Sequence, residues 1–270
     1  LDLGNLDPAD GACLLHTLGA NQAGAAGIGP DDPELLAASR EVQGHALTLS
    51  LLGRYLALAE GGDIRRCDQV DLAAASEATG GYAFRVMATY ETWFAREGEA
   101  GARELAALRL LGFFDRPAGA EDLDALRAAP PIPGLTEALF AKPGGWFGFL
   151  RRPTEPIPAA QWQIALQRLA EAGLIAQPRA DGGLDAHPLV REYLAAALKG
   201  TNTAAFREGH RRLYERLKAS APHRPEGLAG LQALYKAVAH GCLAGLWQEV
   251  CDQVYFDRIL RGTGPRGFYA

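Results

Sequence analysis

Apolar residues recur along this chain at intervals of three and four, the spacing of helices that bury one face. Asp7 followed by Pro8 reads as an N-cap and a first helical position. The helix they open runs through Ala12, Leu14, Leu15 and Leu18 to a stop at Gly19. A loop rich in Gly, Ala, Asp and Pro follows over 20–33, then a second helix over about 34–39. A third helix, over about 43–58, carries Leu47, Leu49, Leu51, Leu52, Tyr55 and Leu56 on nearly all its faces. That pattern predicts a central buried helix, ended by Gly61-Gly62. Residues 69–96 continue the helical pattern through Val70, Leu72 and Ala75, with Val86, Tyr90, Trp93 and Phe94 as one face. Gly98 and Gly101 then punctuate the chain.

The middle third changes character. Leu105, Leu108 and Leu111 predict a helix ending near Phe114 and Asp115. A second helix is split over about 120–128 and 135–140, and a third spans 159–172 with Trp162, Ala165, Leu166 and Leu169 inward. An irregular Gly/Pro/aromatic stretch over 141–158 separates the last two. Two short strands, 174–177 and 184–187, are expected around a turn containing Arg179, Asp181, Gly182 and Gly183. Three helices and a hairpin are the order of a winged helix. Pro188 then opens a helix through Leu189, Val190, Tyr193 and Leu194.

Further on, Phe206, His210, Leu213, Tyr214 and Leu217 form one helical face. Leu231, Leu234, Tyr235, Val238 and Cys242 repeat it, and Leu246, Val250 and Val254 start another helix after Gly245. Helix pairs of this length resemble the start of a TPR-like solenoid. The expected fold class is therefore mainly α: a helical domain over 1–100, a winged-helix domain with a small β-hairpin over 101–198, and a second helical, repeat-like domain over 199–270.

Charge and composition narrow the chemistry. With 27 Lys and Arg against 32 Asp and Glu the net charge is −5, which argues against a nucleic-acid partner, since phosphate binding needs a basic face. Cys13, Cys67, Cys242 and Cys251 form no CxxC pair and no zinc-ligand spacing. They read as small buried hydrophobes in a reducing cytoplasm, and no metal site is expected. No apolar run is long enough to span a bilayer. The sequence contains no GxxxxGK[ST], and indeed no Gly-Lys pair, so nothing in it cradles the β- and γ-phosphates of a nucleotide. No Ser/His/Asp or Cys/His set can be assembled, and the carboxylates Glu121 and Asp122 read as a solvated helix end. No catalytic residue is expected, and by itself the chain is not expected to be an enzyme.

Two segments carry a resemblance. Gly44-His45-Ala46-Leu47-Thr48-Leu49-Ser50-Leu51-Leu52-Gly53 resembles the GLPLAL-type helix of NB-ARC and related STAND ATPases. Leu184-Asp185-Ala186-His187-Pro188-Leu189-Val190-Arg191-Glu192-Tyr193 resembles their "MHD-LVRE" motif at the end of the winged helix. The order of the surrounding domains also matches. The resemblance implies that the first motif, here with Gly44 and with Ala46 in place of the family's Pro, packs near the adenine base. It also implies that His187 touches the ADP phosphate and latches a closed state, although the family's following Asp is Pro188 here. It implies ADP or ATP as cofactor in an intact parent protein and none for this portion alone. The implied partners are an N-terminal NTPase core, an effector domain, C-terminal sensor repeats, and further copies of the protein that assemble into an oligomer on activation. Bacterial relatives of this kind serve in defence against viruses, programmed cell death or transcription control.

Two other classes compete with this reading. The third winged-helix helix presents Gln161, Gln163, Gln167 and Arg168, with Arg151, Arg152 and Arg179 nearby, the inventory of a DNA reader with few phosphate-gripping cations. Alternatively, the C-terminal helices and the aromatic cluster Trp146, Phe147 and Phe149 are the surface of a protein-interaction scaffold.

Overall fold

Asp7 behaves as its sequence context dictates: its carboxylate accepts from the amides of Ala9 and Asp10, both at 2.9 Å, and Pro8 occupies the first turn of α1 (Pro8–Thr17). In the computed structural model, residues 5–70, 81–141 and 155–262 are described. They are mainly helical, with one small two-stranded sheet. The chain divides into two compact units. The first comprises Leu1–Pro117, Pro158–Ala180 and Leu184–Leu194, and the second Ala118–Ile157, Asp181–Gly183 and Ala195–Ala270.

In the first unit α1 packs on α2 (Pro33–Glu41) and α3 (Ala46–Ala59). From there α3 packs on α4 (Gly81–Arg96), α4 on α5 (Gly98–Arg109), and α5 on α7 (Ala159–Glu171). The expected central helix is α3, with Leu49, Leu51, Leu52 and Leu56 sealed from solvent. Each such leucine contributes about 1.5–3 kcal/mol of burial. It starts three residues later than expected because Gln43 and Gly44 both adopt left-handed backbone, at φ 54° and 69°. The loop over 20–33 holds a minimal hairpin, β1 (Gln22–Ala23) against β2 (Ala26–Gly27).

Tyr90 joins the layers: its fully buried hydroxyl lies 3.1 Å from the carbonyl of Leu51 and 3.2 Å from that of Ala172. Its ring meets Tyr55 edge-on, with centroids 5.3 Å apart. Burial pushes the Tyr90 phenol above its ordinary range. Gly101, expected to break the chain, lies inside α5. A Cβ there would collide with the carbonyl oxygen of Phe94, so the small residue serves helix packing. The expected helix ending near Asp115 is α5 continued by a 3₁₀ turn over Leu110–Phe113.

The strands expected at 174–177 and 184–187 do not form. One bond joins the two segments, from Ala176 N–H to Asp185 O at 2.8 Å. The remaining backbone groups are taken elsewhere. Leu174 N–H bonds to Leu169 O, Ala186 N–H to the Asp185 carboxylate, and Ala186 O accepts from Arg191. Local side chains thus outcompete a ladder.

The second unit holds α6 (Ala120–Leu126) and a 3₁₀ turn over Glu137–Leu139. It also holds α9 (Thr203–Ser220), α10 (Gly227–Ala244), and α11 (Trp247–Glu249), which runs into a π-helical stretch over Val250–Ile259. Its chain enters from α8 (Pro188–Thr201). A core of Tyr214, Leu217, Leu234, Ala237, Val250 and Val254 holds α9, α10 and the π stretch together. The expected α9 face is buried. On α10 the expectation is met only in part, because Leu234 is buried whereas Tyr235 and Cys242 are exposed. Of Glu121 and Asp122, the first is solvated as expected, its side chain 83% exposed, while the second is only 17% exposed; both meet Arg216, Asp122 at 2.7 Å. The aromatic cluster Trp146, Phe147 and Phe149, like Leu72, Ala75, Arg151 and Arg152, lies outside the described residues. No described helix is long and apolar enough to cross a membrane.

Arg258, 7% exposed, donates to four carbonyls: Lys218 at 2.7 Å, Ala221 at 2.8 Å, Pro222 at 2.9 Å and His223 at 3.0 Å. It thereby satisfies the carboxyl end of α9 and the loop after it. One ammonium cannot reproduce this planar set of donors. Arg258→Lys is therefore expected to destabilise the protein by about 2 kcal/mol or more, read from urea denaturation. An unchanged midpoint and slope would contradict this role.

His210, 2% exposed on α9, faces His240 on α10 with their Nδ1 atoms 2.8 Å apart, and it packs edge-on against Phe206. Burial, then the neighbouring His240, pulls the His210 imidazole down to about 3 from an ordinary 6.5. A histidine whose folded value is depressed stabilises the fold fully above its unfolded value. That contribution drains away as pH falls from 6.5 towards 3. His210→Phe, which keeps a ring in the slot and takes up no proton, should flatten the fall in melting temperature over that window. A variant melting with the same acid dependence as the parent protein would exclude His210 as the cause.

Candidate functional site

The two motif segments contribute the amino-terminal turns of α3 and α8. At α3, His45 is the N-cap, and its Nδ1 lies 3.3 Å from the Thr48 amide and 2.8 Å from the Thr48 hydroxyl. An Nδ1 that accepts from an amide carries no proton, so the ring's N–H is at Nε2. At α8, His187 does the same: its Nδ1 accepts from Leu189 N–H at 3.2 Å, again leaving Nε2 as the donor. Pro188 fills the first helical position and has no amide to offer. Val190 and Arg191 donate to the His187 carbonyl at 2.9 and 3.1 Å. With these amides spent, the helix end offers an anion the imidazole rather than bare backbone amides.

The fold brings the two segments into electrostatic range. The His187 imidazole is held below the ordinary histidine range, first by burial, then by His45 and Arg191 nearby. A neutral, Nε2-protonated His187 is the form that donates one hydrogen bond without carrying charge. His187 and Ala46 are exposed, and Ala46 stands at the first position of α3. Gly44 is buried, and the space its missing side chain leaves is already occupied. A Cβ would collide with the Leu6 carbonyl, and Leu6 N–H bonds to Gly44 O at 2.9 Å. Gly44 thus serves the chain's own backbone and is not an open cradle for a ligand.

Arg191 of the second motif points inward. It is 8% exposed and bonds to the Asp185 carboxylate, to the Ala186 carbonyl at 2.5 Å and to the Asp115 carbonyl at 3.1 Å. This clamp fixes the main chain one residue before His187. Sequence reasoning missed it, although an Asp six residues ahead of an Arg, across a helix start, is its signature. It also missed the paired histidine caps, signalled by Thr three residues after His45.

The DNA-reading face fares differently. Arg168 pairs with Glu104 at 2.9 Å and Gln167 with Glu171 at 3.0 Å, so both are engaged within the unit. Among the described residues, no group of three or more His, Cys, Asp or Glu is placed to hold a metal ion. No family model matches the chain, and no curated protein matches its sequence.

The His187 ring is expected to titrate below free histidine, followed through its carbon-bound protons by NMR. Replacing His45 with Asn should raise that midpoint without fully restoring it, because burial is the larger cause. A midpoint unmoved by the replacement would show that the two histidines do not sense each other.

Proposed function

We propose that this chain is the regulatory arm of a STAND-type ATPase, coupling ADP or ATP occupancy and ligand sensing to oligomerisation. In this reading the chain order α5, α6, α7 and the 174–187 segment is that of a winged helix, and α9, α10 and α11 begin a helical repeat array. The amino-terminal turn of α3, with Ala46, lies beside the adenine base, and His187 Nε2 donates to an ADP phosphate supplied from the NTPase core. One observation supports this above others: segments far apart in sequence, resembling two nucleotide-facing motifs of one family, lie close enough for His45 to act on His187. The histidine caps leave the Nε2–H of each ring as its donor.

The switch follows from differential binding. A latch made in the ADP state alone shifts the closed–open equilibrium by its own free energy. A hydrogen bond to a charged group contributes about 1.5–3 kcal/mol, or roughly 10- to 150-fold in population. A neutral His187 is suited to such a reversible latch, whereas a fixed cation would hold ATP as firmly as ADP.

The experiment has two steps. The coding frame upstream of Leu1 is read for a strand followed by GxxxxGK[ST], and the whole protein is purified. The parent protein should carry ADP as a monomer, and His187→Ala should retain about tenfold less ADP and shift towards oligomer on a sizing column. A frame without that motif defeats the reading, as does a His187→Ala protein that holds ADP like its parent. In the first case, salt-dependent binding to duplex DNA becomes the measurement that separates a DNA regulator from an interaction scaffold.

A further inference from the structure

The carboxyl ends of α3, α4 and α7 and the middle of α5 wall a cavity of about 250 Å³. Leu58 and Trp93 supply its apolar wall, and Glu97, Glu104, Arg168 and Glu171 its polar one. Three carboxylates face one guanidinium, and three helices turn the negative ends of their dipoles towards the space. Arg54 donates to the Glu171 carbonyl at 2.8 Å, and Gln167 holds the Glu171 carboxylate. The balance of charge remains negative.

Glu104 is the second, separate observation. It is 1% exposed, its Oε1 pairs with Arg168 at 2.9 Å, and its Oε2 has no hydrogen-bond partner. A buried carboxylate oxygen without a donor is costly, and a well-packed apolar residue in that position would commonly be as stable or more so. The missing partner is a hydrogen-bond donor of positive charge, with an apolar body that fits against an indole and an aliphatic side chain.

We propose that this cavity binds a small organic cation, a primary ammonium or guanidinium, whose N–H groups complete the coordination of Glu104 and whose body rests on Trp93 and Leu58. Glu97 and Glu171 line the exposed mouth and attract the cation. Arg168 keeps its pairing with Glu104 Oε1, leaving Oε2 for the cation. Burial pushes the Glu104 carboxyl up to about 7, so a cation that binds the ionised form binds more tightly as pH rises through neutrality. The groups facing Glu104 across this rise are Arg168, Glu97 and Glu171. The inference is independent of the nucleotide-switch reading, since none of these residues belongs to the two motifs.

The probe is 3-methylbutylamine, which stays protonated throughout, with the equally shaped 3-methylbutanol as its neutral control. Titrated at pH 8, the amine should shift the Trp93 indole N–H resonance, assigned with Trp93→Leu, with a Kd on the order of 1 mM or tighter. The alcohol should not. Affinity should fall as pH is lowered to 5.5, and Glu104→Gln should weaken binding by about tenfold or more. The rim variant, Glu97→Gln with Glu171→Gln, should weaken it a few fold and serves where Glu104→Gln does not fold. Equal binding of amine and alcohol overturns the proposal. So does undiminished binding by Glu104→Gln, or by the rim variant where that one serves, and so does no shift by the amine up to about 50 mM.

Discussion

Main-chain carbonyls that neither helix nor sheet can satisfy are the constraint on which this structure turns. A helix leaves its last four carbonyls bare, and long irregular connections leave many more. Here the described sheet is a two-by-two hairpin, so ladders absorb almost none of them. Arginine takes their place. Arg258 gathers four carbonyls after α9. Arg212 reaches Leu126, Ala128 and Pro130 after α6, while Arg191 holds Ala186 and Asp115. The guanidinium suits this work because it is flat, permanently charged and carries five donors in a fixed fork. Two of these side chains, Arg191 and Arg258, are under a tenth exposed, and in a helical protein with net negative charge they are packing elements as much as Leu49 or Tyr90.

That device also shapes the candidate site. Arg191 holds Ala186 through its carbonyl and Asp185 through its side chain, so the backbone arrives at His187 in one conformation. The histidine then commits Nδ1 to Leu189, which fixes the ring's orientation and its tautomer together. A latch must have its donor aimed before the ligand arrives, or the ordering cost falls on binding. Were His187 the proposed latch, Arg191 would be a positioning residue one step behind it. The same logic holds at α3, where Thr48, itself wholly buried, orients His45 through both its amide and its hydroxyl.

Periodicity revealed the helices because each buries one face, and the capping grammar of Asp7-Pro8 and Gly245 located ends to within a residue or two. The wing was misread for a physical reason. Short apolar segments at 174–177 and 184–187 around a Gly-rich turn suit strands, yet a carboxylate and a guanidinium supplied from within ten residues take backbone groups a ladder needs. Gly101 misled in the opposite way: glycine marks both chain breaks and tight helix contacts, and only the position of the Phe94 carbonyl distinguishes them. Of the candidate site, the influence of His45 on His187 was not legible, since no spacing in a sequence says that two distant turns come near. The cost of Gly44 was assigned to a ligand, whereas Leu6 occupies the space.

Glu104 was visible in the pattern without being singled out. It stands at the i−4 and i−7 positions from Leu108 and Leu111, on the face that α5 buries. A charge on an apolar stripe has two readings. As half of an ion pair it is poor value for stability, because Arg168 is partly exposed and hydrated while Glu104 is fully desolvated, so the attraction does not offset the burial. A fold that needed only packing at this position would be served by leucine or methionine. The carboxylate also stands where three helix carboxyl ends converge, which raises the cost of its charge further. A cation in the cavity would offset that cost, whereas His187 stands at a helix amino end with Nδ1 committed to Leu189. On the two proposals, one unit would offer a donor to an anion and a carboxylate to a cation.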